Sequence, residues 1–536
     1  MTICIFDLYF STLGGGEKHI GYAAEILTEK HEVYVLHCGA FARADVKSRL
    51  NLNLDKVTFI ALDAEEDLDE QVTTIVRKLN APVFINATHF SKLYIPGLIN
   101  ISLVFFPRYI YPTSFSTVDM IKYRISNLLF REYVKRVGFD KISHEEEING
   151  RLGRWTHKAS NIIINGRFKA ASVYYENFTK RPAKDIVKYI KGPDKLDFVL
   201  DHEKISFRPS HEGNTHSKLE LGCNTFIPAE TQAGSQDTRD LGLFITQVKI
   251  DSFSLFTRIA LKLWRTNRLR SRLTRLYIKG QCIREQLAYK DLLLKGDLIL
   301  SNSGYTKDWI GKIYGTEIET DVLYPPVDVN EFYSNDKKDH IISVGRFFVG
   351  DHNKKQLELI KAFKKLYDGH PEARNYTFHL CGGTHKEERN VKYVELCRKA
   401  SHGYPIMIHT DIKYEKLKEF YADAKIFWHG AGLNEDEQKT PDKFEHFGIT
   451  TVEAMASGCV PIVIGIAGQL EIVQDNIDGF HWKTEEELIN RTLRVMRNDA
   501  LRSRLSSEGM ERAKNFDQQK FRERLSELFR KVDVIV

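Results

Sequence analysis

The chain has 536 residues, 42% of them hydrophobic and 28% charged, and its 78 Lys and Arg against 72 Asp and Glu leave a net charge of only +6. This composition excludes a disordered or fibrous chain, and the length exceeds one ordinary core, so two or three domains are expected. The near balance of charge excludes a protein that is basic throughout and confines any anion-binding surface to a local patch.

The seven cysteines stand apart, with no C-x-x-C pair and no Cys/His metal spacing, so free thiols in a reducing compartment are expected. The first residues run straight into an apolar strand pattern without a basic leader, and no apolar run reaches the ~18 residues that span a bilayer. Both features predict a cytoplasmic protein, with any membrane contact peripheral.

In chain order, residues 3–8 read as a strand, followed by a glycine-rich turn through Gly14, Gly15 and Gly16 and a helix over 19–30. The next strand is at 32–36, which makes a βαβ opening whose glycines allow a backbone to approach a phosphate. The spacing is not G-x-G-x-x-G, so a nicotinamide fingerprint is absent. Strands at 57–61, 83–86 and 101–106, with a helix at 68–79, predict a parallel, doubly wound sheet over 1–138.

From 139 to 252 helical periodicity fades into short alternating runs separated by turn residues, which predicts an inserted β-sandwich of jelly-roll type. Trp155 in this stretch reads either as a stacking platform for a glycan or as a core residue. Residues 254–284 hold nine Lys and Arg and no acidic residue, interleaved with Phe256, Trp264 and several Leu and Ile. A basic amphipathic helix of this kind suits an anionic membrane surface; a solvated helix packed on the sheet is the plainer alternative. No aromatic–basic platform accompanies the charge, so nucleic acid is not an expected partner. Residues 253–333 are read as the second part of the first domain, with its strands resuming at 298–300.

A second α/β domain is expected over 334–515, with a final helix at 516–536. It opens with a strand at 340–344 that runs into Arg346, followed by Lys354 and Lys355. Arg and Lys at the C-terminal end of a strand suit a diphosphate, although two surface cations fit the same pattern. The densest stretch is 444–458, where Glu445 and Glu453 stand eight positions apart around a turn that opens a short helix. Thr450 or Thr451 can cap that helix, and Ser457-Gly458 can end it. Backbone amides of Phe447, Gly448, Ile449 and Thr450 at a helix start favour an anion. On spacing alone, an ordinary loop and helix with two solvated glutamates fits as well.

Filled in as Glu445-His446-Phe447-Gly448 and Glu453-Ala454-Met455-Ala456-Ser457-Gly458, with Val460-Pro461-Ile462-Val463 after it, the stretch resembles the signature of family 4 glycosyltransferases. The Gly15-Gly16 loop and the Gly345-Arg346 and Lys354 positions match the same family. The resemblance covers both α/β halves and leaves the β-insert outside it. It implies a GT-B fold, two Rossmann-like domains facing a cleft, and retaining transfer of a hexose from a nucleotide sugar, GDP- or UDP-linked.

In that reading Arg346 and Lys354 neutralise the departing diphosphate, Glu445 holds donor-sugar hydroxyls and Glu453 holds ribose. Gly15, Gly16, Phe447, Gly448, Ile449 and Thr450 complete the phosphate cradle. No metal and no cofactor are implied. The segment 103–107 resembles mannosyltransferases that extend lipid-linked oligosaccharides, which implies a glycan or lipid-linked acceptor at the inner face of the cell membrane. That subgroup carries His where this chain has Phe105; His89 is the nearest substitute in sequence. A non-catalytic glycan- or nucleotide-binding protein on a degenerate scaffold is the alternative.

Overall fold

Runs of apolar, largely β-branched residues buried on both faces mark the strands of two parallel sheets. The computed structural model describes residues 1–64, 67–89, 91–107, 116–142, 146–148, 151–165, 170–176, 187–191, 197–201, 204–208, 216–223, 243–265, 270–350, 353–384 and 387–536. The chain divides into two compact units, one of 1–113 with 286–536 and one of 114–285.

The first unit holds both parallel sheets. The N-terminal sheet contains β1 (Thr2–Phe6), β2 (Glu32–His37), β3 (Thr58–Ala61), β4 (Val83–Asn86), β5 (Ile99–Val104), β15 (Leu298–Ser301) and β16 (Asp321–Val322). Their spatial order is β16-β15-β5-β4-β1-β2-β3, all parallel. Helices α1 (Gly15–Leu27), α2 (Arg43–Leu50), α3 (Leu68–Lys78) and, after the insertion, α7 (Gly304–Tyr314) connect it. The first helix starts at Gly15, four residues before the expected His19. The Glu17 carboxylate folds back to accept from the Gly14 N–H at 2.6 Å, so the glycines become its first turn.

The C-terminal sheet contains β17 (Lys338–Val344), β18 (Thr377–Gly382), β19 (Ile406–Thr410), β20 (Ala424–His429), β21 (Val460–Ile464) and β22 (Phe480–Trp482), in the order β19-β18-β17-β20-β21-β22. Around it lie α8 (Gln356–Gly369), α9 (Glu388–Ser401), α10 (Tyr414–Asp423), α11 (Ile449–Ala456), α12 (Gln469–Ile472), α13 (Glu485–Met496) and α14 (Asp499–Ala513). The last helix, α15 (Gln518–Arg530), returns to the N-terminal sheet. Its Phe521, Leu525, Leu528 and Phe529 share a core with Ile20 and Ala24 of α1. Both sheets grow outward from their first strand in two directions, the doubly wound order of Rossmann-like domains. The GT-B architecture is therefore the observed one.

The second unit is antiparallel and β-rich, with α4 (Thr117–Arg136) before its strands and α5 (Leu255–Arg265) after them. Its strands are β6 (Val137–Ile142), β7 (Glu146–Ile148), β8 (Arg151–Asn165), β9 (Ala171–Glu176), β10 (Val187–Lys191), β11 (Asp197–Leu200), β12 (Lys204–Arg208), β13 (His216–Cys223) and β14 (Phe244–Ile250). The described strands of this unit hydrogen-bond into one connected ladder. The 15-residue β8 is long enough to pair with β6, β7, β13 and β14 along its length. The unit is also wider than the expected 139–252. Phe130 and Tyr133 of α4 and Leu261 and Trp264 of α5 pack into the same core as Ile162, Val173 and Leu221, so these helices belong with the sheet. The stretch α6 (Arg270–Lys295) begins in this unit and ends in the first. The roles weighed for the Trp155 side chain lie outside the described residues. No described helix is long and apolar enough to cross a membrane.

Three histidines line up across neighbouring strands of the C-terminal sheet. His379 on β18 has its ring centroid 4.5 Å from that of His340 on β17, and its Nδ1 is 3.1 Å from His409 Nε2 on β19. Burial pushes His379 down to about 3 and lowers the other two as well. A histidine lowered on folding takes its proton more readily when unfolded. Stability is therefore complete above about pH 6.5, the ordinary histidine value, and falls as pH drops toward 3. Urea midpoints measured from pH 7.5 to 4.5 are expected to decline in the wild type, and His379→Phe is expected to flatten the slope.

Candidate functional site

Ligands of open α/β sheets sit beyond the C-terminal ends of strands, where the strand order reverses. Here that rule selects the loops after β1 and β4 in one sheet and after β17 and β20 in the other. The residues singled out in sequence lie in these loops or beside them.

The loop after β17 carries Arg346 and the adjacent Lys354 and Lys355, and the structure separates the two lysines. Lys355 holds a left-handed φ of +57° and reaches Glu435 Oε1 at 2.7 Å, while Lys354 Nζ lies 2.6 Å from Glu445 Oε2. The same carboxylate oxygen is 3.0 Å from Nε2 of His429, the last residue of β20, whose side chain is buried. Burial alone would raise the Glu445 carboxyl; the Lys354 ammonium and the His429 contact outweigh it and hold the group well below the usual carboxylate range. Arg346 stands on the same sheet edge with an exposed side chain, its carbonyl accepting from Gln356 at 3.1 Å.

Glu445 leads through Phe447 and Gly448 into α11. The cap of this helix is Gly448 itself, not Thr450 or Thr451, because the turn needs a φ of +120° that only glycine adopts without strain. Thr451 instead donates to Gln469 Oε1 at 2.9 Å, and Thr450 and Ile449 sit in the first turn. A Cβ on Gly448 would also fall 2.2 Å from Gln469 Nε2. Gly448→Ala is therefore expected to cost about 1–3 kcal/mol of stability and to misplace the α11 amides. A lower denaturant midpoint, with weaker nucleotide binding than wild type, checks this.

The two halves meet at this loop. A Cβ on Gly15 would come 3.1 Å from Ile449, and one on Gly16 would come 3.6 Å from the Phe105 ring, so the glycine turn lies against both α11 and the Phe105 position. His446 stacks on Phe106 with centroids 4.0 Å apart. His89 is half-buried on the loop after β4.

Glu453 lies one turn into α11, buried, with its oxygens 3.3 Å from the Tyr414 hydroxyl and 3.1 Å from the Tyr421 hydroxyl. Burial raises its pKa, opposed by the Lys18 charge and the two tyrosines. Lys18, on the first turn of α1, is buried with its ammonium 5.6 Å from the Tyr414 ring centroid, so a cation from the N-terminal half faces the Glu453 pocket. Sequence reasoning passed over both Lys18 and His429. Lys18 was visible only as the residue after the Gly-Gly-Gly-Glu turn. His429 was visible only as a polar residue ending an apolar strand before a glycine. Among the described residues, no group of three or more His, Cys, Asp or Glu side chains is placed to hold a metal ion.

Comparison with known proteins agrees with the fold. Over its full length the chain is similar in fold to sucrose-phosphate synthase from Thermosynechococcus elongatus, with a TM-score of 0.53, 12% identity and 99% of each chain covered. The likeness is one of fold, a GT-B architecture. Residues 328–512, which contain Arg346, Lys354, His429, Glu445 and Glu453, match the family model for glycosyl transferases group 1, so this domain is a group 1 glycosyltransferase domain.

Its relatives include the GDP-Man:Man(3)GlcNAc(2)-PP-Dol alpha-1,2-mannosyltransferase of Xenopus laevis, 27% identical over 33% of this chain and 36% of that protein. The alpha-1,3/1,6-mannosyltransferase ALG2 of Rhizomucor pusillus is 28% identical over 34% of this chain and 46% of that protein. The chain thus spans between a third and a half of the length of these relatives.

Proposed function

We propose that the protein is a retaining glycosyltransferase that moves a hexose from a GDP- or UDP-sugar to a glycan or lipid-linked acceptor. The observation that carries this reading is the Lys354–Glu445–His429 constellation at the switch point of the C-terminal sheet, beside the start of α11. Lys354 and Arg346 supply positive charge where a diphosphate leaves, which stabilises the transition state more than the bound donor. The α11 amides and the Gly15-Gly16 turn add hydrogen-bond donors. Glu445, ionised and fixed by its two partners, is built to accept from sugar hydroxyls. Glu453 takes the ribose in this account, with Tyr414 and Tyr421 yielding one oxygen. No metal or cofactor is needed for these roles. The name of the Xenopus laevis relative favours GDP-mannose as donor and a lipid diphosphate-linked glycan as acceptor. The basic, apolar stretch 254–284 suits peripheral contact with the cytoplasmic membrane face.

The non-catalytic alternative rests on Phe105, which puts a hydrocarbon ring against Gly16 where the resemblance implies an imidazole. Nucleoside diphosphate release from UDP-, GDP- and ADP-sugars, without and with a membrane lipid extract, separates the two readings. Release from one donor, raised by the extract, supports the transferase and its acceptor class. Nucleotide binding without release from any donor would leave the binder.

A further inference from the structure

Large apolar side chains are exposed in one place more than any other. Of the 21 described large hydrophobic residues that are exposed, eight stand on α4 and α5 of the 114–285 unit. On α4 these are Val118, Ile121, Ile125 and Leu128, 44% to 69% exposed, recurring every three or four residues on one face. On α5 they are Leu255, Phe256, Ile259 and Leu263, 37% to 64% exposed, while Thr257, Ala260, Leu261 and Trp264 on the other face are buried.

The two stripes are joined by a buttress. Glu132, one turn beyond Leu128 on α4, accepts from the Ser254 N–H and the Thr257 hydroxyl, each at 2.8 Å, and so fixes the first turn of α5 beside the α4 stripe. The charges around the stripes are one-sided. Arg124, Arg131 and Lys135 are exposed on α4, and Arg258 and Lys262 are exposed on α5, which has no acidic residue. The acids of α4 are engaged within the unit: Asp119 faces Lys122 and Lys279 at 3.7 and 3.6 Å, and Glu132 holds α5.

We propose that α4 and α5 together form a docking surface for the anionic face of a lipid bilayer. Apolar stripes rimmed by Arg and Lys on packed, already folded helices match the interface between acyl chains and anionic headgroups. A second copy of the chain fits less well, because a two-fold contact through this face would bring two positive rims together. The surface deepens the proposed function by naming how the enzyme reaches a lipid-linked acceptor, and it brings in α4, which carries half of the exposed apolar side chains.

The test is sedimentation of the full-length protein with phosphatidylcholine vesicles, alone or mixed with phosphatidylglycerol. Wild type is expected to bind the mixed vesicles and to bind less as salt rises. The double variant Ile125→Asp/Phe256→Asp, and separately Arg258→Glu/Lys262→Glu, are expected to weaken that binding by about tenfold or more. Leu396→Asp, an exposed apolar site on α9, is expected to leave it unchanged. Circular dichroism and melting curves like the wild type's keep the variants comparable, since every substituted side chain is exposed. Unchanged binding in both double variants, no binding of wild type to either vesicle, or a wild-type dimer that the apolar variant splits would each overturn the proposal. Nucleoside diphosphate release in the absence of vesicles reports on the donor site alone, so failure of the transferase reading shows there and failure of the docking surface shows here.

Discussion

Lys354→Ala is expected to lower turnover about 100- to 1,000-fold, the range seen when one preorganised stabiliser of developing negative charge is removed. Two effects combine. The leaving diphosphate loses a cation at the β17 edge, and Glu445 loses the partner 2.6 Å from its Oε2. With that ammonium gone, burial of Glu445 is opposed by the His429 contact and little else, so its pKa moves up. The sign is fixed by this cause. In wild type the Glu445 pKa is depressed, so the ionised form and its share of stability persist above the ordinary carboxylate value and are lost only as pH falls through the lower folded value. In Lys354→Ala the acid limb of the turnover profile moves to higher pH. Lys355→Ala, which breaks the neighbouring pair with Glu435, is expected to leave the position of that limb unchanged. Rate profiles for the three proteins from pH 4 to 8 check both statements.

Glu471→Ala is expected to destabilise the first unit by about 3–6 kcal/mol, from the two helix-opening N–H groups that donate to its carboxylate at about 1.5–3 kcal/mol each. The Glu471 carboxylate, from the C-terminal half, accepts from the Gly304 N–H at 2.7 Å, the Tyr305 N–H at 2.8 Å and the Tyr324 hydroxyl at 2.9 Å. Gly304 and Tyr305 open α7 of the N-terminal half, where N–H groups have no partner inside the helix. The next amide, of Thr306, is taken by the Ser303 side chain at 3.1 Å. Glu471 therefore completes the cap of a helix that belongs to the other sheet. It also sits on α12, which follows directly from Gly468, whose N–H donates to the Glu445 carbonyl at 3.0 Å. Its loss is expected to loosen the approach of the two halves and raise KM for the donor as well. Glu471→Gln, which keeps one acceptor oxygen, should recover about half of the stability in a denaturant titration.

The sequence was most legible where structure depends on neighbours along the chain. The turn at Gly14–Gly16, the alternation of strands and helices and the Glu445–Glu453 stretch all show in local spacing. What stayed hidden depends on contacts between distant residues. His429 and Lys18 join the candidate site only when the fold brings them to Glu445 and Tyr414, and nothing in their neighbours announces it. The cap of α11 was misassigned because threonine side chains suggest capping, whereas the positive φ that excludes them is a property of the folded turn. The β-unit was drawn too narrow for a similar reason. The periodicity of α4 and α5 is helical, and only their shared core with β8, β9 and β13 shows that they belong with the strands.

The most direct measurement is nucleoside diphosphate release from the preferred nucleotide sugar, in the presence of a lipid acceptor extract, by wild type and Glu445→Ala side by side. If the Lys354–Glu445–His429 constellation is the donor site of a transferase, wild type turns over and Glu445→Ala loses at least about 100-fold while still binding the nucleoside diphosphate. Equal release by the two proteins would contradict the account, because turnover would then come from somewhere other than this carboxylate.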